Sequence, residues 1–237
     1  MRTVRRFIRQ CLRRRGIELS RYSWPQLIAT VAPDVVLDIG ANVGQYAQEL
    51  RAAGYRKRIV SFEPLSAAHA ELVRRSAGDA SWSIAPRMAL GDREGEERIH
   101  IAGNSFSSSL LTMRELHRQA APAAAYVDSE TVHVRRLDAV APEYVHSGER
   151  CLIKIDTQGY EQRVLAGGPQ TLAGAAALQF EASLTPLYDG EATLQTLLDQ
   201  VAATGLELWS LLPAFTDLRS GRLLQVDCFF TRPGMLA

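Results

Sequence analysis

An α/β fold built on a mostly parallel sheet is predicted by three short apolar runs that each end in a turn. The first, Val35–Ile39, is followed by glycines at positions 40 and 44 and then by apolar residues at helical spacing. The second and third runs end in the acids Glu63 and Asp156, and each precedes another helical pattern. Short apolar strands that alternate with helices are typical of parallel sheets covered on both faces.

Size and composition fit one soluble domain of this kind. The chain has 237 residues, of which 46% are hydrophobic and 22% charged, and its net charge of +1 argues against a general nucleic-acid surface. Its three cysteines are widely spaced, which disfavours a zinc site or a disulfide framework. The sequence lacks both an apolar signal region and a membrane-spanning run of roughly 18 residues. We therefore expect a cytoplasmic protein without a transmembrane segment.

The basic N-terminus predicts a division at about residue 32. Residues 1–32 form a basic, helical N-terminal segment in this interpretation, and residues 33–237 form the main domain. Eight arginines fall within residues 1–21 against one glutamate, and a thin apolar stripe runs through the same stretch. Two interpretations remain open for it: weak contact with an anionic membrane surface, or, preferred here, a solvated helix packed on the domain.

The first strand and turn indicate the kind of ligand. Gly40 and Gly44 are spaced G-x-x-x-G rather than in the G-x-G-x-x-G pattern that cradles a pyrophosphate. This spacing suits a ligand without phosphate, such as an amino acid joined to a nucleoside. Asp38 could accept a hydrogen bond from the ammonium group of such a ligand. Glu63 stands where nucleotide-binding α/β units place the acid that binds the ribose hydroxyls. The alternative is an ordinary surface acid at a strand end.

Three motifs carry a resemblance to a known family. D-I-G-A-N-V-G-Q at 38–45, S-F-E-P at 61–64 and I-K-I-D-T-Q-G-Y-E at 153–161 resemble the FkbM-type S-adenosylmethionine-dependent methyltransferases. The resemblance implies a Rossmann-like seven-stranded sheet, mostly parallel with one antiparallel strand and with helices on both faces. It also implies S-adenosylmethionine as cofactor and O-methylation of a sugar, glycolipid or polyketide hydroxyl. A nucleic-acid methyltransferase and a non-catalytic cofactor-binding protein remain as alternatives.

The motifs and the implied fold together give a set of candidate cofactor-binding residues. Met88 and Ala89 follow the predicted third strand, whose end lies under the adenine in this architecture, although they could equally be plain core. The Asn/Ser stretch at 104–109 is similar to one that lies near the cofactor in the family. The full set is Asp38, Gly40, Asn42, Gly44, Gln45, Glu63, Pro64, Met88, Ala89, Asn104, Ser108, Ser109 and Asp156.

Asp156 is the main catalytic candidate, because ligands of open α/β sheets bind at the carboxyl edge of the strands. It could accept the proton of the substrate hydroxyl, or hold a divalent cation such as Mg²⁺ that acidifies the hydroxyl. Capping of the next helix is its structural alternative. Glu181 ends another strand at the same edge and is the second catalytic candidate, since two carboxylates there could share a metal or divide acid and base work. Gln158 stands where the family more often has an acid, which weakens the metal hypothesis.

His133 is a third catalytic candidate, since histidine titrates near neutral pH. It lies within the predicted strand 131–135 rather than at its tip, and we expect the other histidines to be surface residues. Asp227, inside the last apolar run, is expected to be structural and satisfied by backbone donors. The expected partner is a small hydroxylated acceptor, nucleic acid is disfavoured, and a homodimer is left open.

Overall fold

The computed structural model describes residues 24–234. The basic stretch 1–21 lies outside the described residues, so both interpretations of it stand as predictions. The helices are α1 (Trp24–Val31), α2 (Gln45–Ala52), α3 (Ser66–Ser76), α4 (Glu115–Ala120), α5 (Leu137–Val140), α6 (Glu161–Ala166), α7 (Pro169–Gly174) and α8 (Leu194–Ala202). The strands are β1 (Val35–Ile39), β2 (Arg58–Phe62), β3 (Trp82–Ile84), β4 (Ala89–Gly91), β5 (Gly95–Ala102), β6 (Tyr126–Arg136), β7 (Cys151–Ile155), β8 (Ala177–Ser183), β9 (Glu207–Pro213), β10 (Thr216–Asp217), β11 (Arg222–Leu223) and β12 (Gln225–Thr231).

The main sheet confirms the predicted fold class. It has seven strands in the order β3-β2-β1-β7-β8-β12-β9. Neighbouring strands from β3 to β8 run parallel, whereas β12 is antiparallel to both β8 and β9. The sheet is therefore mostly parallel with one reversed strand.

Helices cover both faces of this sheet, which explains why the central strands are apolar throughout. Every residue of β1 is buried. Val35, Leu37 and Ile39 pack in one core cluster with residues of α5 to α8, while Val36 packs on the opposite face with residues of α1, α2 and α3. A strand covered on both sides has no solvent face and so shows no polar alternation.

A second, three-stranded sheet of order β4-β6-β5 lies beside the first. The alternation that predicted a strand at 131–135 belongs to the longer β6, which pairs antiparallel with β5. In the segment 110–120, only Glu115–Ala120 forms a helix. The segment before it is held in a loop instead, since Ser109 bridges to His100 and Met113 bridges to Tyr188.

No helix within residues 24–234 is long and apolar enough to cross a bilayer.

Candidate active site

Two adjoining cavities open at the carboxyl edge of the main sheet. The β2-side cavity, of about 60 Å³, is walled by the end of β2 and by the segment 88–90. The β8-side cavity, of about 230 Å³, is walled by α2, β7, β8 and β12. Both cavities are lined by Gly40, Asn42, Phe106, Asp156 and Gln158. A ligand that spans the two would therefore pass over the turn after β1 and the loop after β7.

Gly40 is required where these two loops meet. Its φ is +75°, and a Cβ built on it would lie 1.9 Å from the main-chain oxygen of Asp156. The main-chain nitrogen of Asp156 in turn donates to the carbonyl of Ile39, at 3.0 Å. Any side chain at position 40 would thus push the β7 loop away from the β1 turn and open the floor of both cavities.

Glu63 lies in the wall of the β2-side cavity and is 4% exposed. Its two carboxyl oxygens accept the main-chain amides of Asn42, at 2.7 Å, and Leu65, at 2.8 Å. Burial raises the pKa of Glu63 to about 7, in spite of these two amide donors. Each oxygen keeps a second lone pair, so the carboxylate can also accept hydrogen bonds from a bound diol.

The rest of the β2-side wall is largely apolar. The predicted cofactor-binding residues Pro64, Met88 and Ala89 line it together with Leu90 and Ile99. Ser108 lines it too, and its hydroxyl accepts the amide of Ala102 at 3.0 Å. Apolar side chains beside a carboxylate are the kind of lining that a nucleoside pocket needs.

Lys154 lines the β8-side cavity and was missed by sequence reasoning. Its Nζ lies 3.2 Å from Asp38 Oδ1 and 3.6 Å from Asp156 Oδ2, and it donates to the carbonyl of Gly40 at 3.2 Å. Burial alone would lower the pKa of Lys154, but the carboxylates of Asp38 and Asp156 outweigh it and raise the pKa. A lysine inside an otherwise apolar strand was the signal that could have found it.

Asp38 is held within the sheet by its own row of partners. It is 0% exposed, it lines neither cavity, and it is paired in register with Ser61 on β2 and Lys154 on β7. The Ser61 hydroxyl donates to Asp38 Oδ2 at 3.0 Å and accepts the indole N–H of Trp82 at 3.0 Å. The geometry therefore places Asp38 behind Lys154, and its contact with the ammonium group of a ligand stays a prediction.

Asp156 and Glu181 come together as expected, with Gln158 between them. The Asp156 side chain is 40% exposed, and its Oδ1 accepts from Gln158 Nε2 at 2.8 Å. The same nitrogen lies 3.5 Å from Glu181 Oε2. Burial, followed by the negative charges of Asp156 and Asp227, raises the pKa of Glu181 well above its ordinary value.

Asp227 faces the β8-side cavity instead of being satisfied by backbone donors, because its register places it directly opposite Glu181. Burial raises the pKa of Asp227 to about 6. Tyr46 and Gln179 complete this wall, and the Tyr46 hydroxyl donates to Gln179 Oε1 at 2.8 Å. Gln45, a predicted cofactor-binding residue, lines the same cavity.

Four other predicted residues line neither cavity. Gly44 packs against Trp82, Asn104 bonds to Ser107 within its own loop, and the Ser109 hydroxyl donates to the carbonyl of Gln158 at 2.7 Å. The fourth, His133, lies on the small sheet with its side chain 67% exposed and 3.5 Å from Glu96. The structure does not bring His133 to the carboxyl edge, since β6 is not part of the main sheet.

Buried His117 differs from the surface position expected for it. It is 3% exposed, its ring meets the Tyr188 ring edge-on at 5.2 Å, and burial lowers its pKa to about 4.

In the part of the chain that the structure describes, no three His, Cys, Asp or Glu residues are grouped so as to hold a metal ion.

Comparison with known proteins adds a family. The family model described as "Methyltransferase FkbM domain" matches residues 38–219. A curated relative, "2-O-methyltransferase NoeI" of Sinorhizobium fredii (strain NBRC 101917 / NGR234), is 29% identical over 175 residues, which cover 70% of this chain and 71% of the relative.

Two solved structures are similar at lower sequence identity. Aeropyrum pernix fibrillarin in complex with S-adenosyl-L-methionine is 11% identical, with a TM-score of 0.48, over 84% of this chain and 66% of that one. The N-methyltransferase NodS of Bradyrhizobium japonicum, in complex with S-adenosyl-L-homocysteine, is 10% identical, with a TM-score of 0.48, over 87% and 83%. Because the FkbM model matches well over half of the sequence, this chain belongs to the FkbM methyltransferase family.

Proposed function

We propose that this protein is an S-adenosylmethionine-dependent O-methyltransferase whose acceptor is a hydroxyl of a small, sugar-like molecule. The observation that carries the proposal is the position of Asp156, which borders both cavities. A group placed there meets the reactive ends of two ligands, one in each cavity. Family membership and the relative named as a 2-O-methyltransferase support methyl transfer to oxygen.

The β2-side cavity suits the adenosine of the cofactor. Glu63 would accept hydrogen bonds from the ribose hydroxyls, and Pro64, Met88 and Ala89 would cover the adenine. Gly40, Asn42 and Gln45 would hold the methionine part, since they line the passage into the β8-side cavity. The cofactor supplies an electrophilic methyl group on a sulfonium, so the protein mainly has to position the acceptor and remove its proton.

Asp156 is the group proposed to take that proton. As the acceptor oxygen bonds to the methyl carbon and the carbon–sulfur bond breaks, the hydroxyl proton passes to the Asp156 carboxylate and then to solvent. Gln158 and Lys154 lie on the two oxygens of this carboxylate, at 2.8 and 3.6 Å. Both contacts hold this carboxylate in place at the junction of the two cavities.

The charge of the β8-side cavity supports an acceptor rich in hydrogen-bond donors. Among its described lining residues, Glu49, Asp156, Glu181 and Asp227 carry carboxyl groups, and Lys154 alone carries a basic one. That lysine is already paired with Asp38 and Asp156. The remaining carboxyl oxygens can accept hydrogen bonds from neighbouring hydroxyls of a sugar, whereas an anionic acceptor would meet repulsion.

Methyl transfer from labelled S-adenosylmethionine to a panel of methyl glycosides tests the proposal. We expect label in an O-methyl ether, identified by mass spectrometry, and a loss of at least a hundredfold in kcat for Asp156→Asn with unchanged cofactor affinity. Asp189→Asn is the matched control, because that side chain is 65% exposed and lies outside both cavities. Label in none of the glycosides, or wild-type turnover by Asp156→Asn, would contradict the proposal. Treatment with a chelator tests separately whether a divalent cation takes part.

A further inference from the structure

Gln158 adopts a backbone conformation that its residue type rarely takes. Its φ is +54°, in the left-handed region, and it is followed by a glycine at φ +94°. A non-glycine residue in this region is strained and persists where the surrounding structure holds it, often at a functional site. Glycine would fit this turn without strain, so the side chain of Gln158 is the part that needs a role.

The side-chain amide of Gln158 stands between the two carboxyl groups of the site. Nε2 donates to Asp156 Oδ1 at 2.8 Å and lies 3.5 Å from Glu181 Oε2. It thus places a neutral donor between two like charges that would otherwise repel each other. With the amide reversed, Oε1 would face both carboxylates and add a third acceptor to the repulsion.

Tyr188 determines which way this amide points. Its hydroxyl donates to Gln158 Oε1, at 3.0 Å, and its side chain is wholly buried. A Cβ on Gly159 would lie 2.8 Å from the Tyr188 ring, so the ring packs directly against this turn. The Tyr188 amide is held in turn by Glu191, at 3.0 Å. The hydroxyl has a second acceptor, the carbonyl of Ser107, at 3.3 Å, but Gln158 Oε1 is nearer, and a proton donated to Oε1 selects the amide orientation with its nitrogen toward the carboxyl groups.

We propose that Gln158 is a positioning residue for methyl transfer and that Tyr188 orients it. Gln158 holds the carboxyl groups of Asp156 and Glu181 at a set spacing and keeps Asp156 turned toward the junction of the two cavities. Tyr188 touches neither cavity and acts only through Gln158. The inference rests on the proposed function, since it assigns Asp156 the proton of the acceptor.

Tyr188→Phe and Gln158→Met, singly and combined, test this chain of contacts. Each substitution introduces an apolar side chain of similar size that cannot make the original hydrogen bonds. We expect each single variant to lower kcat at least tenfold, with KM for the cofactor within twofold, and to move the acid limb of the rate profile to higher pH. The double variant should lose no more than the worse single variant, because both act on one contact. Multiplied losses, or a wild-type kcat and pH profile in Tyr188→Phe, would overturn the proposal.

Tyr126→Phe is the matched control. That variant loses a tyrosine hydroxyl that donates to the carbonyl of Leu111 at 2.7 Å, outside both cavities. We expect it to keep wild-type kinetics. Asp156→Asn, assayed alongside, distinguishes failure of the proposed function from failure of this inference. Wild-type turnover by Asp156→Asn would show that Asp156 is not the base. An inactive Asp156→Asn together with a fully active Tyr188→Phe would overturn only the roles given to Gln158 and Tyr188.

A second measurement needs no acceptor. The side-chain amide protons of Gln158, assigned in NMR spectra by their loss in Gln158→Met, should exchange with solvent at least tenfold faster in Tyr188→Phe than in the wild type or in Tyr126→Phe. Equal exchange rates in all three proteins would show that Tyr188 does not hold the amide, and would overturn the proposal without reference to turnover.

Discussion

Glu181 and Asp227 are directly paired across the antiparallel β8–β12 ladder, and both face the β8-side cavity. Like charges on directly opposed residues destabilise a sheet. The lysine of this cavity is paired with Asp38 and Asp156, so its charge offsets the repulsion within the Glu181–Asp227 pair only in part. The protein therefore carries a costly carboxyl pair in its candidate acceptor site, and the cost should depend on pH.

Asp227→Asn should stabilise the protein more at pH 8 than at pH 4. The pKa of Asp227 is about 6 in the folded protein against 3.8 for the ordinary side chain. A raised folded pKa means that the folded state holds the proton more tightly, so stability falls as pH rises from about 4 to about 6. The isosteric amide removes this loss, a gain on the order of 2 kcal/mol at pH 8. Urea denaturation at both pH values measures it.

The exposed Asp199 supplies the control for that experiment. Its carboxylate accepts from Gln195 on the same helix, at 2.9 Å, and lies outside both cavities. Asp199→Asn should change stability by less than about 0.5 kcal/mol at either pH. A gain for Asp227→Asn that is equal at pH 4 and pH 8 would contradict the electrostatic origin of the effect.

Glu63→Gln should weaken binding of S-adenosylhomocysteine at least tenfold. One of the two carboxyl oxygens would become an NH₂ group facing a main-chain amide, either that of Asn42 or that of Leu65. Losing one buried acceptor also costs about 1–3 kcal/mol of stability. Since the pKa of Glu63 is about 7, wild-type affinity should fall as the pH drops below 7 and the carboxyl group takes up a proton.

Calorimetry measures this affinity, and Glu130→Gln is the matched variant. Glu130 also accepts a main-chain amide, that of Ser66 at 2.7 Å, but lines neither cavity. Glu130→Gln should bind S-adenosylhomocysteine with the affinity of the wild type. Unchanged affinity in Glu63→Gln would remove Glu63 from the ribose site.

Residues next to a motif were predictable from sequence, whereas residues brought in by strand register were not. Glu63, Asp156 and Glu181 each follow an apolar run, and the parallel sheet carries all three to one edge. Asp227 arrives from a strand that runs the other way, so its neighbour depends on a register that one sequence does not reveal. The same holds for the polar row of Ser61, Asp38, Lys154 and Gln179, which spans four strands.

Loop positions were harder still. Asn104, Ser108 and Ser109 lie in one short polar stretch, yet Ser108 alone of the three lines a cavity. Which side chain turns inward depends on contacts such as that between Ser109 and the carbonyl of Gln158. Such tertiary contacts leave no periodic signal in the sequence.

Lys154→Met should cost about 3–5 kcal/mol, because it leaves the wholly buried Asp38 without its counter-ion. Combining it with Asp38→Asn should recover part of that loss, since the amide removes the unpaired charge. Urea denaturation of the two single variants and the double variant measures the coupling. Additive losses would show that the two side chains do not act as a pair.

Gly44→Ala should destabilise the fold by more than Gly54→Ala. The two glycines have similar φ values, +90° for Gly44 and +94° for Gly54. A Cβ on Gly44 would lie 2.6 Å from the Trp82 ring, whereas a Cβ on Gly54 would meet nothing within 4 Å. Gly54→Ala should thus report backbone strain alone, about 1–2 kcal/mol. Thermal unfolding compares the two. Equal losses of stability in the two variants would mean that the Trp82 ring can move aside at little energetic cost.

An anionic acceptor should be methylated more slowly than its neutral counterpart, and Asp227→Asn should narrow the difference. The comparison is between a methyl glucuronide and the matching methyl glucoside, which differ in one carboxylate. A carboxylate that enters the β8-side cavity would approach the carboxyl groups of Glu181 and Asp227, and repulsion of about 1–3 kcal/mol corresponds to a roughly fivefold to 150-fold lower kcat/KM. Neutralising Asp227 removes one of these charges, so the kcat/KM for the glucoside divided by that for the glucuronide should fall at least threefold in Asp227→Asn. Asp199→Asn should leave this ratio unchanged. If the wild type uses both glycosides equally well, the carboxyl pair does not select the acceptor by charge.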